Sequence, residues 1–454
     1  MKDGLIEKQN YIEEVRNQYE SYPYPPRDPK NEKKIFTHVS SASLEFLNYY
    51  HYEGKQDFSS NYKVLIAGGG TGDALVTLAE QCRYKKVKIV YLDISKASLE
   101  VAKARLEARG IEDKVEWVHG SLLDCPKLFD EKFNYINCSG VLHHLESPEE
   151  GLKALNLVLK DGGVMAIMLY ARYGRQAVYQ IQDALKILNK SEEDMGQKVE
   201  NCKAILNHLP KNNAFMDVQQ MFPDIREYGD NGIYDLFLHS NDVAYSVGDV
   251  YEFLNVCGLE LTHFCYCGNG AFGNNLYDIE SYVVDTHLLQ SIAELSLQEK
   301  QAVAELINSK INKHSFLASK KKVKLPSTSN PDNVIFLSMI IPQEGYKHLH
   351  DKAMDTDVGG DVVISLYGKS ISFKKTRNSE LILKNLNGIR TIGEICELVK
   401  KQYDPDEKTP STREIESDID KIFKAFVKYD WMLIRHKSVP LFDNMSTIQK
   451  RLGL

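Results

Sequence analysis

Two rhythms of apolar positions alternate along the first two-thirds of the chain. Short apolar runs of strand length stand at 64–67, 88–93, 115–118, 135–138 and 164–170. Between them, apolar residues recur at helical intervals: Leu75, Leu78, Ala79 and Cys82, then Leu99, Ala102 and Leu106, then Leu152, Leu155 and Leu159. Strands alternating with amphipathic helices predict a parallel sheet with helices on both faces. Gly110 stands where a helix ends in a left-handed residue. Ser147-Pro148-Glu149-Glu150 predicts a helix start with a capping box, and Asp161-Gly162-Gly163 predicts its break.

The alternation stops after Arg172 and resumes near Val247, so 176–242 reads as an inserted helical subdomain. A helix over 247–255, a strand over 259–267, a helix over 296–310 and a last strand over 314–319 follow. Ahead of the first strand, Leu5, Ile12, Val15 and Tyr19 predict a short amphipathic helix. Next, Tyr22-Pro23-Tyr24-Pro25-Pro26 forbids helix and favours an extended arm. The whole is an α/β chain: a Rossmann-like, seven-stranded, mostly parallel sheet with a helical insertion, plus a small α+β, winged-helix-like C-terminal domain. The expected divisions are 1–50 for the helix and arm, 51–320 for the sheet domain, 321–345 for a linker and 346–454 for the last module.

With 454 residues, 43% hydrophobic and 26% charged, the chain has the composition of a globular protein with room for two to four domains. A net charge of -7 argues against duplex DNA as a partner. The first residues lack a secretory pattern and no apolar run approaches the ~20 residues of a membrane span, so a cytoplasmic location is expected. Eight cysteines without a C-x-x-C pair suggest free thiols.

The candidate chemistry sits at the carboxyl ends of the strands. Lys63-Val64-Leu65-Ile66-Ala67-Gly68-Gly69-Gly70-Thr71-Gly72-Asp73 leads a buried strand through a glycine turn into a helix. Glycine tolerates positive φ and close approach of a ligand, and the helix start offers free N–H groups. Asp73 stands where a dinucleotide fingerprint needs its last glycine, which favours a nucleoside ligand. Asp93 ends the second strand where a ribose-binding acid belongs. The third and fourth strands lead to Gly120-Ser121-Leu122 and to Cys138-Ser139-Gly140-Val141-Leu142-His143-His144.

In this order the row of strand-end loops resembles a class I S-adenosylmethionine-dependent methyltransferase. The resemblance implies that Ala67, Gly68, Gly70, Thr71 and Gly72 border the methionine part of S-adenosylmethionine. It implies that Asp93 and Ile94 hold the ribose, that Ser121 and Leu122 border the adenine, and that Cys138 and Ser139 lie beneath the substrate side. Two residues depart from the pattern: Ile66 replaces a common acid, and Ser121 a common Asp. Tyr22, Tyr24, His143 and Tyr170 form the candidate catalytic set. For the arm two placements are open, a lid across the cofactor or a linker docked on the surface. His143-His144 favours a structural or substrate-wall role over acid–base work, with no metal expected. His263, Cys265 and Cys267 alternate along one strand and read as buried core in preference to zinc ligands.

The proline-tyrosine arm, the glycine turn and Tyr170-Ala171-Arg172-Tyr173-Gly174-Arg175 together resemble bacterial protein-lysine methyltransferases acting on outer-membrane proteins. That resemblance implies a protein or peptide partner held between the insertion and the C-terminal module, with a homodimer possible. The module is similar to winged-helix units that hold peptides, and a plain packing or dimerisation role is the alternative. A small-molecule or tRNA methyltransferase would share every cofactor residue, and a non-catalytic cofactor-binding regulator is the third reading.

Overall fold

The computed structural model describes residues 11–34, 36–265, 274–283, 285–339, 341, 345–366, 369–404, 408–443 and 445–452. Leu5 and Cys267 lie outside these residues. The main sheet contains β1 (Ser60–Ala67), β2 (Lys86–Asp93), β3 (Val115–His119), β4 (Phe133–Ser139), β5 (Leu159–Ala171), β6 (Ala244–Tyr245), β7 (Glu260–Cys265) and β8 (Lys313–Ser319). Seven of these run in the order β3-β2-β1-β4-β5-β8-β7, and β6 pairs along the end of β5. All pairings through β5 are parallel, whereas β8 runs antiparallel to both β5 and β7. The architecture is therefore Rossmann-like and mostly parallel, as the alternation predicts.

Because side chains alternate across a strand, each face of the sheet builds its own core. Leu65, Leu92, Cys138, Ile167 and Phe316 pack one way, and Val64, Ile66, Tyr91, Tyr135 and Leu317 pack the other. The helix Asp73–Gln81 buries Leu75, Leu78 and Ala79, and Cys82 at its cap is fully buried. The helix Lys96–Arg109 ends on Gly110 at φ 63°, the left-handed value that a side chain resists.

Two local expectations need correction. Ser147 caps the helix Pro148–Leu157, but its side chain makes no capping bond, so the box is absent. Asp161-Gly162-Gly163 does not break that helix. The helix ends earlier and the glycines lie inside β5, where the pairing with β4 shifts register between Phe133 and Tyr135. A Cβ on Gly163 would sit 3.0 Å from the Asn134 carbonyl oxygen, so the glycine serves an irregular ladder and not a helix end.

The insertion folds as expected into helices, among them Gln176–Leu188, Met195–Asn207 and Gly229–Phe237, around a core of its own with Val178, Ile181, Phe215 and Phe237. The C-terminal module joins β9 (Asn333–Leu337) to β12 (Met432–His436), and β10 (Asp361–Leu366) and β11 (Lys369–Lys374) form a second two-stranded sheet packed into the same core. β9 falls within the segment expected to be a linker, so that stretch is structural. Trp431, Leu433 and Ile434 share one core with Leu44, Leu47 and Tyr49 of the helix Leu44–Tyr50. The module is thereby anchored on the sheet domain by apolar burial. No described helix is long and apolar enough to cross a membrane.

Candidate active site

The glycine turn after β1 needs its glycines. Gly68, Gly70 and Gly72 have φ of 69°, 51° and 98°. A Cβ on Gly68 would meet Val141 at 2.5 Å, and one on Gly69 would collide with the Tyr91 ring. The Tyr91 hydroxyl donates to the Gly70 carbonyl, fixing the turn from below. Above it runs the proline-tyrosine arm. The Thr71 amide donates to the Tyr24 carbonyl at 3.4 Å, and the Thr71 hydroxyl to the Pro25 carbonyl at 2.6 Å. The arm is thus fastened across the turn.

A network of buried charges holds the arm there. Arg27 grips Asp73 through two bonds of 2.9 and 2.7 Å. Arg105, itself 2% exposed, donates to Asp73 and to the Thr71 carbonyl at 2.8 Å each and also to Glu32. Arg109 continues from Glu32 at 2.7 Å to Glu80 at 3.1 Å. Burial raises the Asp73 carboxyl, but Arg27 and Arg105 overcome it and hold the group below its ordinary value. The insertion closes over the arm's outer side: Asn231 donates to the Pro23 carbonyl at 2.8 Å, and Tyr24 donates to Asp224.

Beneath the arm lies a cavity of about 360 Å³, within the range of small-molecule sites. Of the sequence-predicted residues, Gly68, Gly70, Asp93, Ile94, Ser121, Leu122, Ser139, Tyr24 and Tyr170 line it. Ala67 and Cys138 are fully buried in the core of one sheet face and do not reach it. Gly72 caps the helix, and the Thr71 hydroxyl is spent on the arm, so both support the cavity without lining it. Tyr22 is a further correction. Its ring stacks on Tyr234 of the insertion at 4.9 Å, outside the cavity, because the insertion core offers it an apolar partner. His143 of the candidate catalytic set does not line the cavity either, and its burial fits the structural role favoured for the pair. It is fully buried with its ring 4.1 Å from Tyr170, and His144 is the member of the pair that lines the cavity.

Asp93 is 7% exposed, and its two oxygens accept the Gly70 and Ser95 amides at 2.8 Å each. Burial pushes its carboxyl up to about 6 against the pull of those amides. His144 gives Nδ1 to the Asn241 carbonyl at 2.8 Å and stacks on His239 at 3.6 Å. Burial lowers it to about 4, so it is neutral at pH 7. No described group of His, Cys, Asp and Glu has the form of a metal site, and Cys265 packs in the apolar core.

The insertion contributes residues that carry no motif. Asp235, 5% exposed, lines the cavity and accepts the Tyr19 and Tyr170 hydroxyls at 3.2 Å each, one on each oxygen. Arg175 lies 3.6 Å above the Tyr170 ring and pairs with Asp242 at 3.3 Å. An acid rimmed by Tyr19, Tyr24 and Tyr170 therefore faces the same space as Asp93 and the glycine turn. Asp235 follows the glycine turn by more than 160 residues in a helical stretch, so nothing at the strand ends signals it.

The residues fit a bound nucleoside sulfonium. The cavity floor is glycine, its acid can take hydroxyl donors, and the Ser139 hydroxyl on its wall has no partner among the described residues. Gly70→Ala tests the stitching of the arm. The new Cβ would stand 2.8 Å from the Tyr24 carbonyl oxygen at a positive φ. Cofactor binding by calorimetry is expected to weaken at least tenfold, and unchanged affinity would show that the arm does not bear on the turn.

The fold is that of the class I S-adenosylmethionine-dependent methyltransferases. Residues 65–165 match the family model described as a methyltransferase domain, and S-adenosylmethionine is the cofactor of that class. An uncharacterized protein of Synechococcus is 30% identical over 251 residues, which cover 54% of this chain and 58% of that one. The tRNA 5-carboxymethoxyuridine methyltransferase of Escherichia coli is 30% identical over 112 residues, 25% of this chain and 41% of the enzyme. The chain therefore matches about half the length of these curated relatives. Among solved structures, PKMT2 from Rickettsia typhi in complex with AdoHcy has the same fold, with a TM-score of 0.60 at 18% identity over 91% of this chain and 77% of that one.

Proposed function

We propose that this protein transfers a methyl group from S-adenosylmethionine to a lysine side chain of a protein. The observation that carries the reading is the acid-and-tyrosine cluster that lines the same cavity as the glycine turn: Asp235 with Tyr19, Tyr24 and Tyr170. A carboxylate attracts an ammonium, and tyrosine rings favour cationic groups. In this reading Asp93 holds the ribose, Ser121 and Leu122 border the adenine, and Gly68 to Gly70 leave room for the methionine part. When bound, S-adenosylmethionine supplies an electrophilic methyl group. The chain's task is then to align an amine and exclude water. The arm, fastened to the turn through Thr71 and to the insertion through Asp224 and Asn231, supplies the exclusion. An acceptor in the form of tRNA or a small molecule is the competing reading, because the relatives' names include both kinds of acceptor.

The test is incubation with tritiated S-adenosylmethionine and a bacterial lysate, followed by separation into protein, RNA and small molecules. Label is expected in protein, released as methyl-lysine on acid hydrolysis. Label in RNA or small molecules would overturn the lysine assignment, and tight cofactor binding without label anywhere would point to a non-catalytic role.

A further inference from the structure

We infer that Asp235 is the proton acceptor that converts the incoming ammonium to the neutral amine. The inference rests on the amine-acceptor reading above. A lysine arrives protonated at neutral pH, with an ordinary value near 10.4, and only the neutral amine carries a free electron pair. The cavity must therefore hold a base, and its lining narrows the choice. Asp93 is held by the Gly70 and Ser95 amides beside the glycine turn, and in the reading above its remaining acceptor capacity goes to the ribose. Asp73 is locked between Arg27 and Arg105. His144 uses Nδ1 on a backbone carbonyl and is held neutral by burial at about 4, far too weak a base. Asp235 is the carboxylate among these lining groups that sits in the tyrosine cluster, and it has spare acceptor capacity. Each of its oxygens takes one tyrosine hydroxyl and keeps a lone pair.

Its surroundings set its basicity. Burial is the largest influence and Asp224 adds like charge, while Arg175 and the two tyrosine bonds oppose them, leaving the group at about 7. Tyr19 faces it from the N-terminal helix and Tyr170 from β5, His239 touches the Tyr19 hydroxyl at 3.3 Å, and Lys313, the register partner of Tyr170, lines the same cavity. A base near the operating pH takes a proton readily and returns it to solvent. In the step itself, an ammonium N–H bond breaks and an O–H bond forms on Asp235. The nitrogen keeps the electron pair that forms the new N–C bond, the C–S pair leaves with sulfur, and the carboxyl proton is released to water.

Three measurements test this, made on the full chain. In the wild type, kcat/KM for the labelled lysine acceptor is expected to fall tenfold per pH unit below about 7. Asp235→Asn is expected to lose roughly 100-fold or more in kcat at pH 7, with cofactor affinity within threefold of wild type. Its deficit should shrink tenfold per unit above pH 8 as the amine deprotonates in solution. Wild-type kcat in that variant, or a deficit that does not shrink with alkali, overturns the assignment. Should Asp235→Asn not fold, Tyr19→Phe carries the test: losing one donor to the carboxylate must move the acid limb upward, and an unmoved limb overturns the inference. Third, infrared titration without cofactor is expected to show a carboxyl band ionising near pH 7 that Asp235→Asn lacks. Absence of that band in the wild type overturns the inference as well. Label on lysine with an unaltered Asp235→Asn defeats the inference alone. Label on another acceptor defeats the lysine reading and this inference with it.

Discussion

Arg105→Ala is expected to cost the folded protein about 3–5 kcal/mol, the range for removing one partner of a buried ion network. Three groups lose a donor at once: Glu32, Asp73 and the Thr71 carbonyl. Glu32 is 5% exposed and would retain only Arg109, while Asp73 would retain only Arg27. Because the residues joined are the arm, the glycine turn and the two helices beside it, the first unfolding transition in denaturant should move to lower concentration. Cofactor affinity should fall with it. The exposed pair Lys186–Asp183 at 3.5 Å supplies the contrast: Lys186→Ala is expected to change stability by less than about 1 kcal/mol. A loss below 1 kcal/mol for Arg105→Ala would mean that the network does not hold the arm.

Asp93→Asn is expected to weaken S-adenosylmethionine binding by about 1.5–3 kcal/mol, or roughly 10- to 150-fold, the worth of hydrogen bonds to a charged acceptor. The wild-type affinity should itself depend on pH. The folded carboxyl lies at about 6, above its ordinary value, and the ionised form is the better acceptor for hydroxyl donors. Affinity is therefore full above pH 7 and falls as pH drops through 6, approaching tenfold per unit on the acid side. The sign for folding is the reverse, since burying the ionised form costs stability above its unfolded value, so the ligand-free protein gains stability as pH falls from 6 toward 4. Calorimetric titrations at pH 7.5, 6.5 and 5.5 check both. Equal affinity for the variant and wild type at pH 7.5 would sink the ribose role of Asp93.

Much of the fold was legible because its signals are local. The runs ending at Ala67, Asp93, Val118 and Cys138 are of strand length, and the helices between them place Leu75, Leu78, Leu99 and Ala102 at helical spacing. Glycines at positive φ and an acid at a strand end follow from the turn they must make, so Gly68, Gly70 and Asp93 could be read before any coordinates. Local rules failed where a second strand or a distant segment decided. Asp161-Gly162-Gly163 reads as a helix stop, yet the partner strand claims it for an irregular ladder. Tyr22 and Tyr24 are two residues apart and chemically alike, but distant partners separate them: Tyr22 stacks on Tyr234, and Tyr24 reaches Asp224 and lines the cavity.

By itself, then, the sequence determined the sheet, the glycine turn and the Asp93 side of the cavity, since each depends on the periodicity and backbone freedom of neighbouring residues. Tertiary structure alone decided the Asp235 and tyrosine side. Asp235 meets Tyr19 across 216 positions and Tyr170 across 65, and a pairing so distant in the chain leaves no periodic trace for the sequence to display.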